Sequence, residues 1–331
     1  MMQDPPGLAR ALLFSRSVTP RRHLDFPSIR VLDGAMATEL ERRGADISGP
    51  LWSAHVLDAS PGAIAALHLD YLRAGADCIS TASYQVSAIG YRELARPPAD
   101  AERALRQSVE LADQARATYA CENSRRVWIA ASLGPYGAAL HNGAEYHGRY
   151  AVGPEELVAF HAERIAVLAG TGADLLALET IPSLDEAQAV LRALELFPAL
   201  TAWGSFTCRD ALHVAHGEPL RLCAQLFAAS PQIAALGINC TAPQHVEALI
   251  GEARLGSGDR KPVIVYPNSG ETWDPATRTW RGVSGTAQFA ALARRWYAAG
   301  AQAVGGCCRT GPSHIAAVAE AARASAPARP A

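Results

Sequence analysis

The sequence lacks the features that mark membrane-spanning, secreted and nucleic-acid-binding proteins. No apolar run approaches the roughly 20 residues that a bilayer-crossing helix needs. The first residues hold no continuous apolar segment of the kind found in secretory signals. The formal net charge of -2 gives no basic surface for nucleic acid or for an anionic membrane. We therefore expect a cytoplasmic protein that binds neither nucleic acid nor a membrane.

Several common cofactor and metal motifs are also missing. The 10 histidines form no HxH or HExxH pattern, which removes support for a histidine-ligated metal hydrolase. The Asp-Gly-Ala-Met segment at residues 33–36 is not the GxGxxG turn of a dinucleotide-binding domain. The 7 cysteines are odd in number, so we expect reduced thiols rather than a framework built only of disulfides.

What the sequence does contain is a repeated alternation of short apolar runs and amphipathic helical stretches. The runs are nearly continuous in apolar residues, as in parallel strands that are buried on both faces. They cover residues 29–32, 77–82, 127–133, 173–178, 200–206, 234–238, 262–266 and 302–305. This pattern predicts an α/β fold, a (β/α)8 TIM barrel that forms a single domain over residues 29–325. An open doubly wound sheet is the alternative, disfavoured by the missing glycine-rich turn. Residues 1–28, rich in Arg and Pro, are expected to be a flexible N-terminal extension; a strap packed under the domain and a transit-like arm are the alternatives.

Polar residues stand where the predicted strands end. In a (β/α) barrel these ends share one rim, and that rim carries the active site. The residues there are Asp33, Gly34, Tyr84, Gln85, Tyr136, Glu179, Asn239, Cys240, Asn268, Cys307 and Cys308. Because the strands before them are almost wholly apolar, the contrast indicates a functional rim.

Three of the cysteines form the sharpest candidate site. Cys240 ends the sixth predicted strand, and Cys307 and Cys308 end the eighth, after two glycines that let the backbone turn. Three thiolates without a fourth protein ligand describe an open, catalytic Zn2+ site, because a structural zinc site is closed by four ligands. A vicinal disulfide or redox function of Cys307 and Cys308 is the competing interpretation.

Other rim residues also have two interpretations each. Asp33 directly precedes a predicted helix, where an aspartate commonly serves as the N-cap. Glu179 follows a purely apolar run, so the pattern favours a functional carboxylate there. Aromatic rings are candidates to contact a cationic ligand, although single aromatic residues more often pack in the core. These candidates are Tyr84, Tyr136, Tyr146, Trp273 and Trp280.

At these positions the chain resembles the homocysteine S-methyltransferase family, most closely the branch that uses S-methylmethionine or S-adenosylmethionine as the methyl donor. The matching stretches span nearly everything between residues 30 and 320, in family order. They are LDGAMATEL (32–40), TASYQ (81–85), SLGPYG (132–137), GAEY (143–146), LET (178–180), GINCT (237–241), YPNSG (266–270) and GGCCRT (305–310). The paired cysteines with the upstream Asn-Cys are the most specific motif. Ala144 stands where serine is common in the family, and residues 1–28 are additional.

The resemblance implies a methyltransferase that converts homocysteine to methionine in a (β/α) barrel. It implies Zn2+ on Cys240, Cys307 and Cys308, with the sulfur of homocysteine in the open position. S-methylmethionine and S-adenosylmethionine both remain open as donors. Betaine is disfavoured by the closer match to the sulfonium-using branch, and the oligomeric state is not indicated.

The resemblance also implies functions for the other rim residues. Asp33 and Glu179 are expected to bind the amino group of homocysteine, with help from the backbone near Gly34. Asn239 and Asn268 are expected to make further polar contacts with the substrate. The pocket for the sulfonium donor is expected to be lined by Tyr84, Gln85 and Tyr136.

Overall fold

Seven parallel strands form one curled sheet in the computed structural model, which describes residues 26–47, 53–274, 279–281 and 285–325. The strands of this part of the chain are β1 (Cys78–Ser80), β2 (Trp128–Leu133), β3 (Leu175–Ile181), β4 (Ala202–Phe206), β5 (Ile233–Asn239), β6 (Val263–Tyr266), β7 (Thr272–Asp274), β8 (Thr279–Arg281) and β9 (Ala301–Val304). The sheet order is β1-β2-β3-β4-β5-β6-β9, while β7 and β8 pair as a separate antiparallel hairpin. Seven of the eight predicted strands are therefore confirmed, and the hairpin is an addition that the sequence did not indicate.

The first predicted strand, residues 29–32, differs from the prediction. It contributes isolated parallel bridges, Val31 with Val304 and Leu32 with Cys78, instead of a full strand. The backbone N–H of Leu32 donates to the Val304 carbonyl at 2.9 Å, and that of Asp33 donates to the Cys78 carbonyl at 3.1 Å. The segment therefore contacts both edges of the sheet, β9 and β1, although it is too short and too irregular to count as a strand of its own.

Helices connect the strands, as the alternating pattern predicts. Their bounds are Ala37–Arg42, Ser53–Ala59, Pro61–Ala74, Ala88–Glu93, Pro98–Glu122, Tyr136–Ala139, Pro154–Ala169, Leu184–Glu195, Leu220–Ala229, Val246–Ser257, Thr286–Ala298 and Pro312–Ala324. Short 3-10 turns occur at Phe26–Ser28, Ala144–Tyr146 and Pro243–His245. Parallel neighbours need such crossovers, because a tight turn cannot return the chain to the same edge. No helix of the described residues is long and apolar enough to cross a membrane.

Both faces of the sheet are buried, and successive side chains of each strand point alternately to the two faces. On β2, Trp128 and Ala130 belong to a smaller inner cluster that also holds Trp203. Their neighbours Ile129 and Ala131 belong to the larger cluster between the sheet and the helices. Since successive side chains of a strand point to opposite faces, this division explains why the strands read as continuous apolar runs.

The inner cluster is closed at one end by the chain just before the first predicted strand. Phe26 is 4% exposed and packs its ring edge-on against Trp203, with centroids 6.5 Å apart. The predicted extension over residues 1–28 lies mostly outside the described residues, which begin at Phe26. Phe26, the first described residue of that extension, is therefore buried in the inner cluster of the sheet.

A three-cysteine site at the carboxyl ends of the strands

The three predicted cysteines converge because the strands that carry them flank a common neighbour. Cys240 follows β5 and Cys307 follows β9, and both strands pair with β6. The last residue of β6 and the residue after it bind both segments: Cys240 N–H donates to the Tyr266 carbonyl at 3.3 Å, and Cys307 N–H donates to the Pro267 carbonyl at 2.7 Å. The predicted convergence of strand ends over the mouth of the sheet is therefore present in the structure.

The three sulfur atoms lie within 4.8 Å of one another. Cys240 and Cys307 are joined as a disulfide with their Cα atoms 5.5 Å apart, and Cys308 Sγ lies 3.9 Å from Cys240 Sγ. The competing sequence interpretation was a vicinal disulfide or a redox function of Cys307 and Cys308; these two sulfurs are not bonded to each other in the structure, and Cys308 is a free thiol. Among the described residues no histidine or carboxylate joins the three sulfurs as a fourth potential ligand.

The donor set and its spacing fit a metal site of the open type. Thiolates about 2.3 Å from a tetrahedral metal lie about 3.8 Å from one another. The separation of 3.9 Å between the sulfurs of Cys240 and Cys308 agrees with this value. A disulfide-bonded sulfur is a poor ligand compared with a thiolate, so all three sulfurs are available only after the bond between Cys240 and Cys307 is reduced.

The backbone around the cysteines has positive φ angles at positions that the sequence does not predict. Cys240 and Arg309 occupy the left-handed region, with φ of 47° and 68°, a conformation that non-glycine residues adopt only where the surroundings enforce it. Gly305 and Gly306 were expected to allow a turn, but neither has a positive φ. They are needed for close packing instead, because a Cβ on Gly306 would lie 2.6 Å from Thr310 Cβ and one on Gly305 would lie 2.7 Å from the Asp33 carbonyl oxygen.

A cavity of about 120 Å³ opens beside the three sulfurs. It brings together eight of the predicted site residues, namely Asp33, Gly34, Tyr84, Glu179, Asn239, Cys240, Cys307 and Cys308. Three of the predicted residues, Gln85, Tyr136 and Asn268, do not line it. Of the donor-pocket residues expected from the resemblance, only Tyr84 lines the cavity, while the three cysteines and both acidic residues do so.

Asp33 is a buried carboxyl of the cavity, not a helix cap. The following helix starts at Ala37 with Met36 as its N-cap residue, and no side chain caps it. Asp33 Oδ2 instead accepts the Ser80 N–H at 2.7 Å. Burial, reinforced by the nearby negative charge of Glu179 and opposed by the Ser80 hydrogen bond, raises the pKa of Asp33 to about 8.

Glu179 faces the same cavity and is 8% exposed. The Ser132 hydroxyl donates a hydrogen bond to Glu179 Oε1. Burial raises the pKa of Glu179 to about 7, against the opposing effect of hydrogen bonds from Ser132 and Tyr266. With Asp33 it forms a pair of buried acidic groups whose ionisation needs a positive charge nearby.

Asn239 holds the residue that follows Glu179 in the chain, Thr180. Its Oδ1 accepts the Thr180 N–H and the Ser205 hydroxyl, both at 2.9 Å, and its Nδ2 donates to Thr180 Oγ1 at 2.7 Å. Thr180 has a φ of 62°, and the pairing of β3 with β4 shifts register at this point. Because the amide is committed to these protein groups, Asn239 is a positioning residue more than the direct substrate contact that the sequence suggested.

The remaining predicted residues have other partners or locations. Tyr136 packs its ring against Tyr150 and Phe160, with centroids 5.4 and 5.1 Å away. Gln85 is buried, and its Nε2 donates to the Ala138 carbonyl at 3.5 Å. Asn268 binds the Thr241 carbonyl through its backbone N–H. These residues follow strands as predicted, but their side chains do not line the cavity.

Arg164 fixes the wall that carries Tyr84. This buried guanidinium donates to the backbone carbonyls of Val86, Gly134 and Tyr84 at 3.0, 2.7 and 2.9 Å. A Cβ on Gly134 would lie 2.7 Å from the Tyr84 ring, so the ring rests directly on that glycine. The loops after β1 and β2 are thus held together by one side chain of the helix Pro154–Ala169.

Several residues that line the cavity were not among the candidates at the strand ends. Ser132 and Tyr266 contact Glu179, and Glu145 and Tyr146 form the wall near Cys308. Ser132 was detectable as a polar residue inside the apolar strand β2, and Tyr266 as the last residue of β6. Glu145 and Tyr146 lie on a short 3-10 turn far from any strand end, so strand periodicity does not locate them. Both belong to the matching GAEY stretch, and only Tyr146 was a candidate contact for a cation.

Comparisons with known proteins agree with this geometry. The sequence profile of the homocysteine S-methyltransferase family matches residues 30–322. The chain is 47% identical to homocysteine S-methyltransferase YbgG of Bacillus subtilis over 312 residues, covering 92% of this chain and 98% of that protein.

Two crystal structures of the homocysteine methyltransferase MmuM from Escherichia coli share the fold, each with a TM-score of 0.77. The oxidised form is 44% identical and covers 88% of this chain and 94% of that one. The metallated form is 43% identical and covers 88% of this chain and 96% of that one. The family profile matches most of the sequence, and the relative from Bacillus subtilis aligns nearly end to end. The chain is therefore a methyltransferase and belongs to the homocysteine S-methyltransferase family.

Proposed function

We propose that this protein is a zinc-dependent homocysteine S-methyltransferase. It transfers a methyl group from a sulfonium donor, S-methylmethionine or S-adenosylmethionine, to the thiol of homocysteine and forms methionine. One observation carries the proposal: three cysteine sulfurs within 4.8 Å of one another share a cavity with two buried carboxyls. The sulfurs suit a metal that activates a thiol, and the carboxyls suit the ammonium group of an amino acid.

Zinc is the metal that this donor set favours. Three sulfur ligands and an open position are typical of catalytic zinc sites, and the reduced Cys240, Cys307 and Cys308 would hold the ion. A free alkyl thiol has a pKa of about 8.5, so only a few per cent is thiolate at neutral pH. When bound, zinc removes the proton of a coordinated thiol and leaves a sulfur lone pair available for attack.

The acidic pair recognises the amino group of homocysteine. Asp33 and Glu179 are buried, and burial raises both pKa values into the neutral range. An ammonium group between them restores the favourable pairing that each carboxylate lacks in the free protein. The backbone near Gly34 assists this binding; Gly34 itself is packed closely on the loop after the cysteines, since a Cβ there would lie 2.6 Å from the Thr310 carbonyl oxygen.

The methyl transfer itself needs no acid from the protein. The homocysteine thiol gives its proton to solvent, and its sulfur forms a bond to the methyl carbon. The bond between that carbon and the donor sulfonium breaks, and its electron pair stays on the donor sulfur, which becomes a neutral thioether. The wall formed by Tyr84 and Tyr146 suits a sulfonium, because aromatic faces attract cations without reacting with them. The buried cavity keeps water away from the reacting methyl group.

The finer points of fold and location follow the same proposal. Residues 31 and 32 act as the eighth strand of a closed barrel, supported by their bridges to both β9 and β1. Residues 29–325 form one catalytic domain. A reducing compartment such as the cytoplasm suits the protein, because the cysteines bind metal only when they are reduced.

The test is formation of methionine from homocysteine and each sulfonium donor by reduced, zinc-loaded protein. Cys307→Ala is expected to lower the zinc content from about one ion per chain to near zero and to reduce the rate at least about 10³-fold. The matched control is Cys121→Ala, because Cys121 is an exposed thiol on a helix surface and carries the same chemical change. Zinc is measured by atomic spectroscopy and methionine by chromatography.

Full activity in metal-free protein would contradict the proposal. A redox function of the cysteines gives a different result in thiol titration. If zinc is bound, chelation exposes thiols that were protected before it; if the cysteines serve redox chemistry alone, chelation changes nothing.

A further inference from the structure

Glu145 is a buried carboxyl of the cavity that the proposed reaction leaves without a function. It lies on the 3-10 turn Ala144–Tyr146 and is 8% exposed. The turn is packed directly on Gly137, because a Cβ there would lie 2.6 Å from the Ala144 carbonyl carbon. The Tyr146 N–H donates to the Gly143 carbonyl at 3.0 Å. The side chain of Glu145 therefore projects into the cavity from a fixed backbone.

One oxygen of this carboxyl has no partner. Glu145 Oε2 is buried and has no hydrogen-bond partner among the described residues. Within the same part of the chain, no Arg, Lys or His side chain forms an ion pair with it. Leaving a buried acceptor unpaired costs about 1–3 kcal/mol and more for a charged group. A ligand that brings N–H donors to this position would remove that cost.

The surroundings of Glu145 indicate the kind of ligand. It shares the cavity wall with Tyr84 and with the half-exposed ring of Tyr146. It lies close enough to Cys308 for its negative charge to affect that thiol. A carboxylate beside two aromatic rings attracts organic cations. The position next to the sulfurs is the one that a methyl donor must reach.

The homocysteine amino group does not account for a third carboxyl. Asp33 and Glu179 interact electrostatically with each other and together satisfy one ammonium group. Glu145 is not among the main influences on either of them. It therefore faces a different part of the cavity and is available to the second substrate.

We propose that Glu145 is a specificity-determining residue that binds the α-ammonium group of the methyl donor. This inference rests on the proposed function. The enzyme accordingly selects sulfonium donors that are also α-amino acids. Such a donor has two cationic centres, the ammonium group and the sulfonium. The unpaired oxygen binds the ammonium group, because that group has N–H donors and a sulfonium has none.

This contact has a specific kinetic signature. The ammonium group keeps its charge while the methyl group is transferred, so the contact with Glu145 is equally strong before and during the reaction. An interaction of this kind lowers KM and leaves kcat nearly unchanged. A carboxylate that contacted the sulfonium itself would behave differently, because that charge disappears as the methyl group leaves.

The experiment compares two donors with the wild-type protein and Glu145→Gln, both zinc-loaded and with saturating homocysteine. S-methylmethionine carries the α-ammonium group, and dimethylsulfoniopropionate carries a sulfonium without it. For S-methylmethionine we expect KM to rise about 30- to 100-fold, the usual effect of losing one charge-assisted hydrogen bond, with kcat within about threefold. The preference for S-methylmethionine over dimethylsulfoniopropionate should fall at least about tenfold. Zinc content and KM for homocysteine should stay unchanged.

Glu110→Gln is the matched control, since Glu110 is exposed on the helix Pro98–Glu122 and the substitution is the same.

An unchanged KM for S-methylmethionine in Glu145→Gln would overturn the inference, and so would an equal loss with both donors. Full activity of Glu145→Gln together with loss in Glu145→Ala would also overturn it, because a neutral hydrogen-bond donor would then suffice. A wild-type protein that forms no methionine from either donor overturns the proposed function itself, which the other results leave standing.

Discussion

The side chain of Asn239 binds Thr180 through both ends of its amide. It accepts the Thr180 N–H at 2.9 Å and donates to Thr180 Oγ1 at 2.7 Å. Thr180 needs this support, because a β-branched residue with a φ of 62° is strained by about 1–3 kcal/mol. The bend at Thr180 directs the preceding residue, Glu179, into the cavity. The residue before Cys240, a proposed metal ligand, thus positions a carboxyl two strands away.

Asn239→Ala is predicted to impair homocysteine binding while the metal site persists. Without the amide, Thr180 relaxes and Glu179 loses its fixed position, so we expect KM for homocysteine to rise at least about tenfold. Zinc content should remain near one ion per chain, because none of the three sulfurs is removed. Steady-state kinetics with varied homocysteine and metal analysis of the same preparation provide the measurement.

Asn268→Ala is the matched control for that substitution. Its side chain does not line the cavity, so KM for homocysteine should stay within about threefold of the wild-type value. If Asn268→Ala raised KM as strongly as Asn239→Ala, the direct substrate contact expected for Asn268 from sequence would be supported and the positioning argument weakened.

Binding of an amino acid is predicted to release protons near neutral pH. In the free protein, burial raises the pKa of Asp33 to about 8 and that of Glu179 to about 7, so both are partly protonated at pH 7. An ammonium group stabilises the ionised forms and lowers both pKa values. Binding therefore releases protons between about pH 6 and 8, and release fades above about pH 9, where both groups are already ionised.

Methionine is the ligand for this measurement, because it has the ammonium group and no thiol to titrate. Calorimetry in buffers of different ionisation enthalpy gives the number of protons released. Asp33→Asn, which keeps an oxygen for the Ser80 N–H, should bind methionine more weakly and release fewer protons. Proton uptake at pH 7, or release that is independent of pH, would contradict the assigned function of the acidic pair.

Much of the fold and of the metal site follows from local sequence patterns. Parallel strands buried on both faces must be apolar along their whole length, so seven of the strands could be located directly. Polar residues at their carboxyl ends then share one rim by geometry. This reasoning locates Cys240 and Asp33, which directly follow β5 and the segment that bridges the sheet edges. It also locates Glu179 near the carboxyl end of β3 and Cys307 three residues past β9.

The same reasoning fails where a side chain depends on a long-range contact or on a loop. Glu145 lies on an isolated turn, and its burial results from packing on Gly137. Tyr136 follows β2 as predicted, yet its ring turns toward Phe160, because the Tyr136 N–H is held by Glu186 and the chain enters a short helix there. Loop direction is set by such tertiary contacts, which the local pattern does not encode.

Gly306 is required for close packing beside the cysteines. A Cβ at this position would lie 2.6 Å from Thr310 Cβ, so the loop that carries Cys307 would have to move. Gly306→Ala is therefore expected to weaken zinc binding about 10- to 100-fold, the range typical of changes that disturb the orientation of metal ligands.

Gly251→Ala serves as the control: a Cβ there meets no atom within 4 Å, and on the helix Val246–Ser257 alanine should add about 0.5–1 kcal/mol of stability. Competition with a chelator of known affinity measures the first effect, and thermal unfolding measures the second. Wild-type zinc affinity in Gly306→Ala would mean that the loop can shift without displacing its sulfurs, and the close-packing explanation for this glycine would be wrong.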